Sequence, residues 1–306
     1  ENTGRINLNY SRQLLSKYPD SSGGYIVAVD SSQADFVLER DITRQLKFLF
    51  EVYGFTHTNT YEYFNRLPAL PQDIGILGPT FVFDRRDDPF VPTKGDISTW
   101  SLEYSSPSLG SNGGANGTIN YYKTTGSFTK YFSFGGVVWA NELKGGYMKN
   151  LISPTNGSIP YVKAFVLGGT STIRGFDPYA ESFPQSLELP ASGIPVDSSF
   201  TLFKTELRIP ISKISSVGQF GIAIFYDGGA VNVGDGAYGA PTFHPNYQWR
   251  HSAGVGLRII TPVGPLVADY ALKLNHDGDR ILPFSSATDK RLPENVGYLH
   301  ISFGSF

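Results

Sequence analysis

Apolar and polar side chains alternate with period two along much of this chain. The alternation is clearest in six stretches: Ile6 to Tyr10, Leu46 to Tyr53, Trp100 to Tyr104, Phe203 to Ile211, Leu266 to Leu272 and Leu299 to Phe303. Clusters of Gly, Pro, Asn, Asp and Ser separate these stretches. Successive side chains of a strand point to opposite faces, so the pattern predicts β-strands joined by turns.

The polar face of these stretches carries charges of both signs, as in Lys204, Glu206 and Arg208, while the opposite face is bulky and apolar. Strands of about ten residues with this alternation are typical of a transmembrane β-barrel. A bilayer offers no water to backbone groups, so only a helix or a closed barrel spans it. The chain has no run of about 18 apolar residues that would form a spanning helix, which leaves the barrel.

The pattern predicts a single all-β domain over residues 1–306, an antiparallel up-and-down transmembrane barrel of about twelve strands. The predicted strands are 4–15, 24–40, 42–63, 78–90, 95–107, 117–128, 129–146, 199–212, 217–232, 248–262, 264–275 and 296–306. Long connections are predicted at 64–77, 147–198, 233–247 and 276–295, and short ones between the other strands. Short turns at one rim and long loops at the other are expected of such a barrel.

Composition excludes several classes of protein. The net charge of −2 lacks the positive excess that is typical of nucleic-acid-binding proteins. With no cysteine, a disulfide framework and thiolate metal sites are excluded. No cofactor or metal site is expected.

One stretch interrupts the strands, from Gly168 to Phe176. It sets Arg174 among small neighbours, followed by Gly175 and Phe176. Such a loop can fold back onto its own protein and place a guanidinium among carboxylates, where bidentate pairing is strong. The alternative is a surface loop with a solvated arginine.

Three further stretches carry charge beside turn residues. Residues 84–95 are a charged strand end running into a Pro/Gly turn, and Asp227 precedes two glycines. The hairpin 254–270 puts Arg258 and Asp269 on the inward face of adjacent strands. Each has a plain structural alternative: turn chemistry, a rim charge or an ion pair in the lumen.

Together, and in this order, the four stretches resemble the BamA/TamA superfamily of outer-membrane insertases, which includes Sam-type and Toc-type relatives. The resemblance runs from about Pro79 to Phe306. It implies a barrel whose long extracellular loop folds into the lumen. The family turn motif then comprises Asp84, Arg86, Asp87, Pro92 and Gly95.

The resemblance also implies that the tip Arg174-Gly175-Phe176 binds inward carboxylates of two later strands, Glu206 and Asp227. Alternation independently places both carboxylates inward. A lone arginine in a narrow lumen would be costly, and two carboxylates would hold it by charge-assisted bonds. The alternative is that Glu206 pairs with Lys204 or Arg208 as lumen lining.

A seam is the family's second feature: the first and last strands pair weakly, so that an incoming strand can add to the exposed edge. The last predicted strand resembles the recognition signal of outer-membrane proteins, which would make this chain itself a client of the outer-membrane assembly machinery. The residues of that signal are Gly297, Leu299, Ile301, Phe303 and Phe306.

The resemblance implies insertion, assembly or translocation of proteins at the outer membrane of a Gram-negative bacterium, through a lateral seam and a plugged lumen. The implied partners are outer-membrane lipids and a client β-barrel or cargo polypeptide. Two features depart from the family: POTRA modules usually precede the barrel and none is present in this chain, and family barrels have about sixteen strands. Hidden strands or an incomplete chain would account for the second departure.

Two other functions stay open. A POTRA-less pore, similar to a porin, would also have a charged lumen. A lipid hydrolase would need a Ser-His-Asn/Asp set on the outer wall. The chain has five histidines, none in a recognisable nucleophile context, so we do not expect an enzyme.

Overall fold

The computed structural model describes residues 2–18, 25–62, 70–114, 117–152, 160–165, 167–176, 197–214, 218–233, 249–261, 264–275 and 296–303. Twelve strands carry the fold, as predicted. They are β1 (Asn2–Tyr18), β2 (Tyr25–Asp41), β3 (Leu46–Glu62), β4 (Leu70–Asp84), β5 (Gly95–Ser105), β6 (Tyr121–Phe134), β7 (Val137–Asn150), β8 (Ser198–Ile214), β9 (Gly218–Val233), β10 (Arg250–Thr261), β11 (Gly264–Lys273) and β12 (Gly297–Phe303). Among the described residues, no helix is long and apolar enough to cross a membrane.

All strands form one antiparallel sheet in chain order from β1 to β12. Each strand pairs with its neighbours in sequence, as an up-and-down meander requires. Within the described residues, no ladder of hydrogen bonds joins β1 to β12. In the part of the chain that the structure describes, each edge strand thus has a backbone ladder on one side only.

Successive connections fall at opposite rims because the strands run antiparallel. The strand ends that flank the connections 42–45, 85–94, 135–136, 215–217 and 262–263 lie at one rim, here called the short-turn rim. The strand ends that flank the connections 19–24, 63–69, 106–120, 151–197, 234–249 and 274–296 lie at the other, here called the long-loop rim. The predicted asymmetry of short turns and long loops is thus confirmed.

The two faces of the sheet differ as the alternation predicted. Large apolar side chains stay exposed on the outer face, among them Trp100, Leu207 and Tyr270 at 44%, 42% and 49% exposure. The predicted outer positions Leu102, Phe203 and Leu266 are half-buried. Charged residues such as Glu206 and Asp269 are buried on the inner face. An apolar outer wall around a charged interior is the reverse of a water-soluble sandwich.

The hairpin of β6 and β7 departs from the predicted boundary. The sequence placed the turn at 128–129, whereas the strands continue to a turn at Gly135 and Gly136. Both glycines have positive φ, +58° and +91°, as a two-residue hairpin turn requires. The predicted boundary was wrong, and Gly126 lies within β6 instead.

Strand β4 begins earlier than predicted, within the stretch assigned to a long connection. The predicted strand started at 78, whereas β4 starts at Leu70. Its glycines make room: a Cβ on Gly75 would lie 1.8 Å from the Leu109 carbonyl oxygen, and one on Gly78 equally close to that of Leu102. Glycine in a strand commonly marks such close approach of another backbone.

Residues 160–165 and 167–176, here called the lumenal segment, lie on the inner face of the sheet. Their described side chains contact strands as far apart in the sheet as β5 and β11. One short segment can reach these strands only if the sheet curls around it, giving a barrel-like wall. An apolar cluster joins the segment to the wall: Ile74, Ile76, Ile119, Tyr121, Met148, Phe165, Leu167, Ile173, Phe176, Phe200 and Leu202.

The connection 85–94 is wider than the tight turn predicted from Pro92, Thr93 and Gly95. Asp87 organises it: its carboxylate accepts the N–H groups of Thr93 and Lys94 at 2.9 and 3.0 Å and the Thr93 hydroxyl at 2.5 Å. Burial alone would raise the pKa of Asp87, but these hydrogen bonds outweigh it and lower the pKa to about 2. The carboxylate therefore stabilises the turn above about pH 4, and this is lost as the pH falls through about 2.

We expect an arginine at Leu207, in the middle of β8, to cost about 2–4 kcal/mol of unfolding free energy, because the side chain faces lipid. The matched control is Thr129→Arg, on the inner face and opposite Glu142 in the ladder. Denaturant unfolding in vesicles measures both. Equal tolerance at the two positions would contradict the barrel orientation.

We expect Gly95→Val to slow folding and cost about 1–3 kcal/mol, because a side chain at positive φ is strained. Gly95 has φ +94°, and its Cβ would lie 2.1 Å from the Arg85 carbonyl oxygen. Gly126→Val is the control, since the closest contact of its Cβ is 4.0 Å. Folding kinetics test this, and loss of activity in fully folded Gly95→Val protein would show that the turn does more than end a strand.

Candidate functional site

The inner faces of β8 to β12 bring charged and small residues together on neighbouring rungs of the ladder. One rung carries Glu206, Phe225, Gly254 and Ala271. The next rung toward the short-turn rim carries Arg208, Ala223, Gly256, Asp269 and His300, and the rung on the other side carries Lys204, Asp227, Ser252 and Lys273. Alternation alone puts all of them inward, and the register sets them side by side.

Arg174 of the lumenal segment inserts its guanidinium among three carboxylates. Its Nε and Nη2 donate to the two oxygens of Asp227, both at 2.8 Å. Its Nη1 donates to Glu206 at 2.7 Å and to Asp269 at 2.9 Å. The backbone N–H of Arg174 also donates to Asp227, at 3.0 Å. The pairing with Asp227 is bidentate, the strongest geometry open to arginine.

Close packing excludes water from this contact. Arg174 is 4% exposed and Asp227 is fully buried. The guanidinium carbon lies 3.4 Å from the centre of the Phe225 ring, a stacked cation–π contact. Gly254 makes room for that ring, because a Cβ there would lie 2.5 Å from it.

Two further arginines complete the charge balance. Arg258 donates to Asp269 at 2.5 Å and to Glu206 at 2.8 Å, and Arg208 donates to Glu206 at 2.9 Å. The lumenal network thus comprises three arginines and three carboxylates: Arg174, Arg208, Arg258, Glu206, Asp227 and Asp269. Buried charges are tolerated when each has partners of opposite sign, and this set is neutral overall.

The two residues after Arg174 pack against the last two strands, β11 and β12. Gly175 has φ +91°, and its backbone approaches Ala271 so closely that a Cβ would lie 3.1 Å from the alanine methyl group. Its N–H donates to Nε2 of His300, on β12, at 2.9 Å. Phe176 is 1% exposed, and the Lys273 ammonium lies 4.7 Å from its ring centre. The tip therefore touches the strand at one edge of the sheet.

A second set of bonds holds the other end of the lumenal segment. Lys163 donates to Glu103 of β5 at 3.0 Å, and Tyr121 donates to the same carboxylate at 2.6 Å. Lys123 of β6 donates to the Lys163 carbonyl oxygen at 2.8 Å. The segment is thus attached to both sides of the barrel-like wall.

The structure brings Arg174 within hydrogen-bond distance of Glu206 and Asp227, and Arg258 within that distance of Asp269. The alternative pairing of Glu206 with Arg208 is also present. Lys204 instead donates to the Thr170 carbonyl oxygen at 3.1 Å. That these contacts lock the loop in place stays a prediction about function.

Sequence reasoning missed three partners in the lumen: Asp269 as a third carboxylate for Arg174, His300 at the tip, and Lys163 with Glu103. Asp269 and His300 could have been identified from the sequence, because alternation places both polar side chains on the inner face beside apolar neighbours. Lys163 could not, since its segment has no periodicity that would assign it to a face.

The family turn motif lies apart from the lumenal network. Arg86 pairs with Asp84 at 2.8 Å, Asp87 organises the turn, Gly95 allows the reversal and Pro92 is buried. Of the predicted C-terminal signal, Leu299 and Ile301 are exposed on the outer face at 63% and 68%. Gly297 and Phe303 bound β12, and Phe306 lies outside the described residues.

Three of the five histidines are described. His57 lies 2.7 Å from Asp73 and 3.2 Å from the Asn59 amide, His251 contacts the Tyr226 hydroxyl, and His300 accepts from Gly175. His244 and His276 lie outside the described residues. Within the described part of the chain, no group of three or more histidines and carboxylates could hold a metal ion.

An apolar-faced meander curled around an inward Arg-Gly-Phe loop defines an outer-membrane type of β-barrel. The Omp85 superfamily domain matches residues 2–289. The chain therefore belongs to the Omp85 superfamily, as its resemblance to the BamA/TamA group predicted.

Individual relatives agree with this assignment. The chain is 27% identical over 211 residues to the sorting assembly machinery 50 kDa subunit of Saccharomyces cerevisiae, covering 67% of this chain and 40% of that protein. Among solved structures, BamA from Haemophilus ducreyi lacking POTRA domains 1-3 matches with a TM-score of 0.62 at 16% identity, over 99% of this chain and 59% of the other. CdiB from Escherichia coli matches with a TM-score of 0.60 at 13% identity, over 99% and 50%. The structural matches concern the fold.

We expect Arg174→Ala to release the lumenal segment while the strands stay folded. Removing one partner of a buried ion pair costs about 3–5 kcal/mol, because the other charge is stranded. Protease should cut the loop near Asp177 in the variant and spare it in the parent. Arg12→Ala is the control, since that arginine forms a bidentate pair with Asp30 while its side chain is 53% exposed, where a pair contributes little.

The effect of adding a second substitution to Arg174→Ala should depend on which carboxylate that substitution neutralises. In the described part of the chain, Asp227 forms an ion pair with Arg174 alone, so adding Asp227→Asn restores neutrality and should recover stability. Adding Glu206→Gln should not, because Arg208 and Arg258 also bind Glu206. Equal effects of the two additions would contradict this account of the network.

Proposed function

We propose that this chain acts in the insertion, assembly or translocation of proteins at an outer membrane, through a lateral seam beside a plugged lumen. The observation that carries the proposal is the pair of sheet edges: within the described residues, β1 forms a backbone ladder only with β2, and β12 only with β11. An unpaired edge offers a row of free backbone donors and acceptors to an incoming strand.

The exposure of the two edge strands supports a seam that opens toward lipid. Ile6 and Leu8 on β1 are 72% and 79% exposed, and Leu299 and Ile301 on β12 are 63% and 68% exposed. Their alternation with polar inward residues matches what a client β-strand brings. A strand entering here would place its apolar side chains in the bilayer and its polar ones in the lumen.

The lumenal segment favours this function over the alternative, a porin-like pore. A porin keeps a water-filled channel. Here the lumenal segment crosses the interior and is attached at both ends, by Lys163 to Glu103 and by Arg174 to the lumenal network. We infer that steady passage of small ions through the lumen is not the function.

The proposed partners follow from the function. They are outer-membrane lipids and a client β-barrel or cargo polypeptide, and the C-terminal strand makes the chain itself a client of assembly machinery. The yeast relative's name refers to a sorting assembly machinery, in agreement with this class of activity. We propose the outer membrane of a Gram-negative bacterium as the location, and we propose no enzymatic activity.

The test uses the chain's lack of cysteine. We expect the reconstituted protein to accelerate folding of an unfolded client β-barrel into vesicles and to conduct few ions. Introducing Ile6→Cys with Ile301→Cys and bridging them by a bifunctional thiol reagent tethers the two edges. The bridge should return client folding to its rate in empty vesicles.

The matched control bridges Ile6→Cys to Phe36→Cys, which already face each other in the β1–β2 ladder. This bridge should leave the acceleration unchanged. Steady ion conductance with no acceleration of client folding would identify a pore instead. Acceleration that survives the bridge between β1 and β12 would rule out the seam as the route.

A further inference from the structure

A second group of charges lies on the outer face, at the short-turn rim. Arg85 holds Asp96 by two bonds, Nε to Oδ1 at 2.7 Å and Nη2 to Oδ2 at 2.6 Å. Lys130 donates to the same carboxylate at 3.3 Å. We call Arg85, Asp96 and Lys130 the outer cationic cluster.

Strand register places this cluster outside the barrel-like wall. Asp96 and Lys130 face each other on one rung of the β5–β6 ladder, and the neighbouring rung carries Tyr131. Tyr131 is buried on the inner face, so the rung beside it points outward. The side chains of Arg85 and Lys130 are 49% and 36% exposed, whereas that of Asp96 is 3% exposed.

One carboxylate serves two cations, so the cluster keeps a net positive charge. Among the described contacts, Asp96 is the carboxylate bound to these cations, since Asp84 pairs with Arg86 at 2.8 Å and the hydrogen bonds of Asp87 are made within its own turn. The surplus charge of the cluster faces the outside of a protein whose outer face is largely apolar.

Aromatic side chains surround the two cations. The guanidinium carbon of Arg85 lies 4.9 Å from the Phe83 ring centre, and the ammonium of Lys130 lies 5.9 Å from that of Phe132. Trp100 and Trp139 are exposed on the outer faces of the adjoining strands, at 44% and 40%. Aromatic residues collect where a barrel meets the headgroup region, so the cluster sits at headgroup depth.

We propose that the outer cationic cluster binds the phosphate of an anionic phospholipid in the leaflet next to the short-turn rim. The two cations supply donors for phosphate oxygens, and the aromatic rings supply a surface for the acyl chain and glycerol. The proposal rests on the barrel lying in a membrane and is independent of whether the chain inserts proteins.

An ion pair elsewhere on the outer face provides the matched control. Arg12 binds Asp30 by two bonds of 2.6 and 2.7 Å. Its side chain is 53% exposed, similar to that of Arg85. It therefore controls for the loss of an exposed, outward arginine that lies away from the cluster.

The experiment measures quenching of tryptophan fluorescence by brominated lipids in vesicles. A Trp249→Phe background leaves Trp100 and Trp139, which flank the cluster, as the only reporters. Brominated phosphatidylglycerol is compared with brominated phosphatidylcholine at constant ionic strength. Quenching by the phosphatidylcholine alone checks that the barrel is embedded, so a failure of embedding is distinguished from a failure of the site.

We expect phosphatidylglycerol to be preferred in the parent, and Lys130→Gln or Arg85→Gln to reduce the preference about fivefold, the effect of one cation near an anionic lipid. Arg12→Gln should leave it unchanged. Asp96→Asn should raise the preference, because it leaves both cations without their carboxylate, whereas a purely structural ion pair would lose stability with no change in lipid preference.

Two outcomes would overturn the proposal. One is equal binding of the two lipids by the parent. The other is loss of the preference on adding inorganic phosphate, which would identify a free-anion site rather than a lipid site. A preference that persists in excess phosphate supports the lipid headgroup.

Discussion

The burial of one guanidinium constrains much of this molecule. A charge taken out of water must find opposite charges and hydrogen bonds in place, and Arg174 finds both on β8, β9 and β11. These strands must therefore bring Glu206, Asp227 and Asp269 onto three successive inward rungs, which depends on their register. The arginine of one loop thus couples the position of that loop to the alignment of four neighbouring strands.

Small residues make this arrangement possible. Any side chain at Gly254 would collide with the Phe225 ring, and any at Gly256 would lie 1.9 Å from an Asp269 oxygen. On the next strand Ala271, fully buried, lets Gly175 approach the wall. The charged groups are large, so their neighbours on adjacent strands are reduced to hydrogen or methyl. This explains why a wall of strands, which usually favours bulky side chains, is rich in glycine on the inner face here.

Much of the fold could be predicted because alternation is a local property. Alternation with period two predicts the number of strands and the two rims. It also predicts that four charged residues face inward: Glu206, Asp227, Arg258 and Asp269. The boundaries of β4 and β6 were wrong, because Gly75, Gly78 and Gly126 act within strands. Only tertiary contacts distinguish a glycine that admits a neighbouring backbone from one that makes a turn.

The partners of charged residues in the lumen are harder to predict from sequence than the strands are. Alternation assigns a face but not a partner, since pairing across the lumen depends on how far the sheet curls and on the course of the loop. Glu206 could thus be assigned inward, while its three arginine partners, Arg174, Arg208 and Arg258, come from separate elements. The partners of Lys163 and His300 could not be predicted for the same reason, because these contacts form only once the segment has crossed the interior.

The distribution of fixed contacts bears on where the barrel can open. The lumenal segment forms ion pairs with β5, β8, β9 and β11, and the N–H of Gly175 donates to His300 of β12. Removing one partner of a buried ion pair leaves the other charge stranded, so moving β8, β9 or β11 away from Arg174 would leave Glu206, Asp227 or Asp269 without this arginine. An opening of the wall that keeps Arg174 bound must therefore leave β8, β9 and β11 aligned.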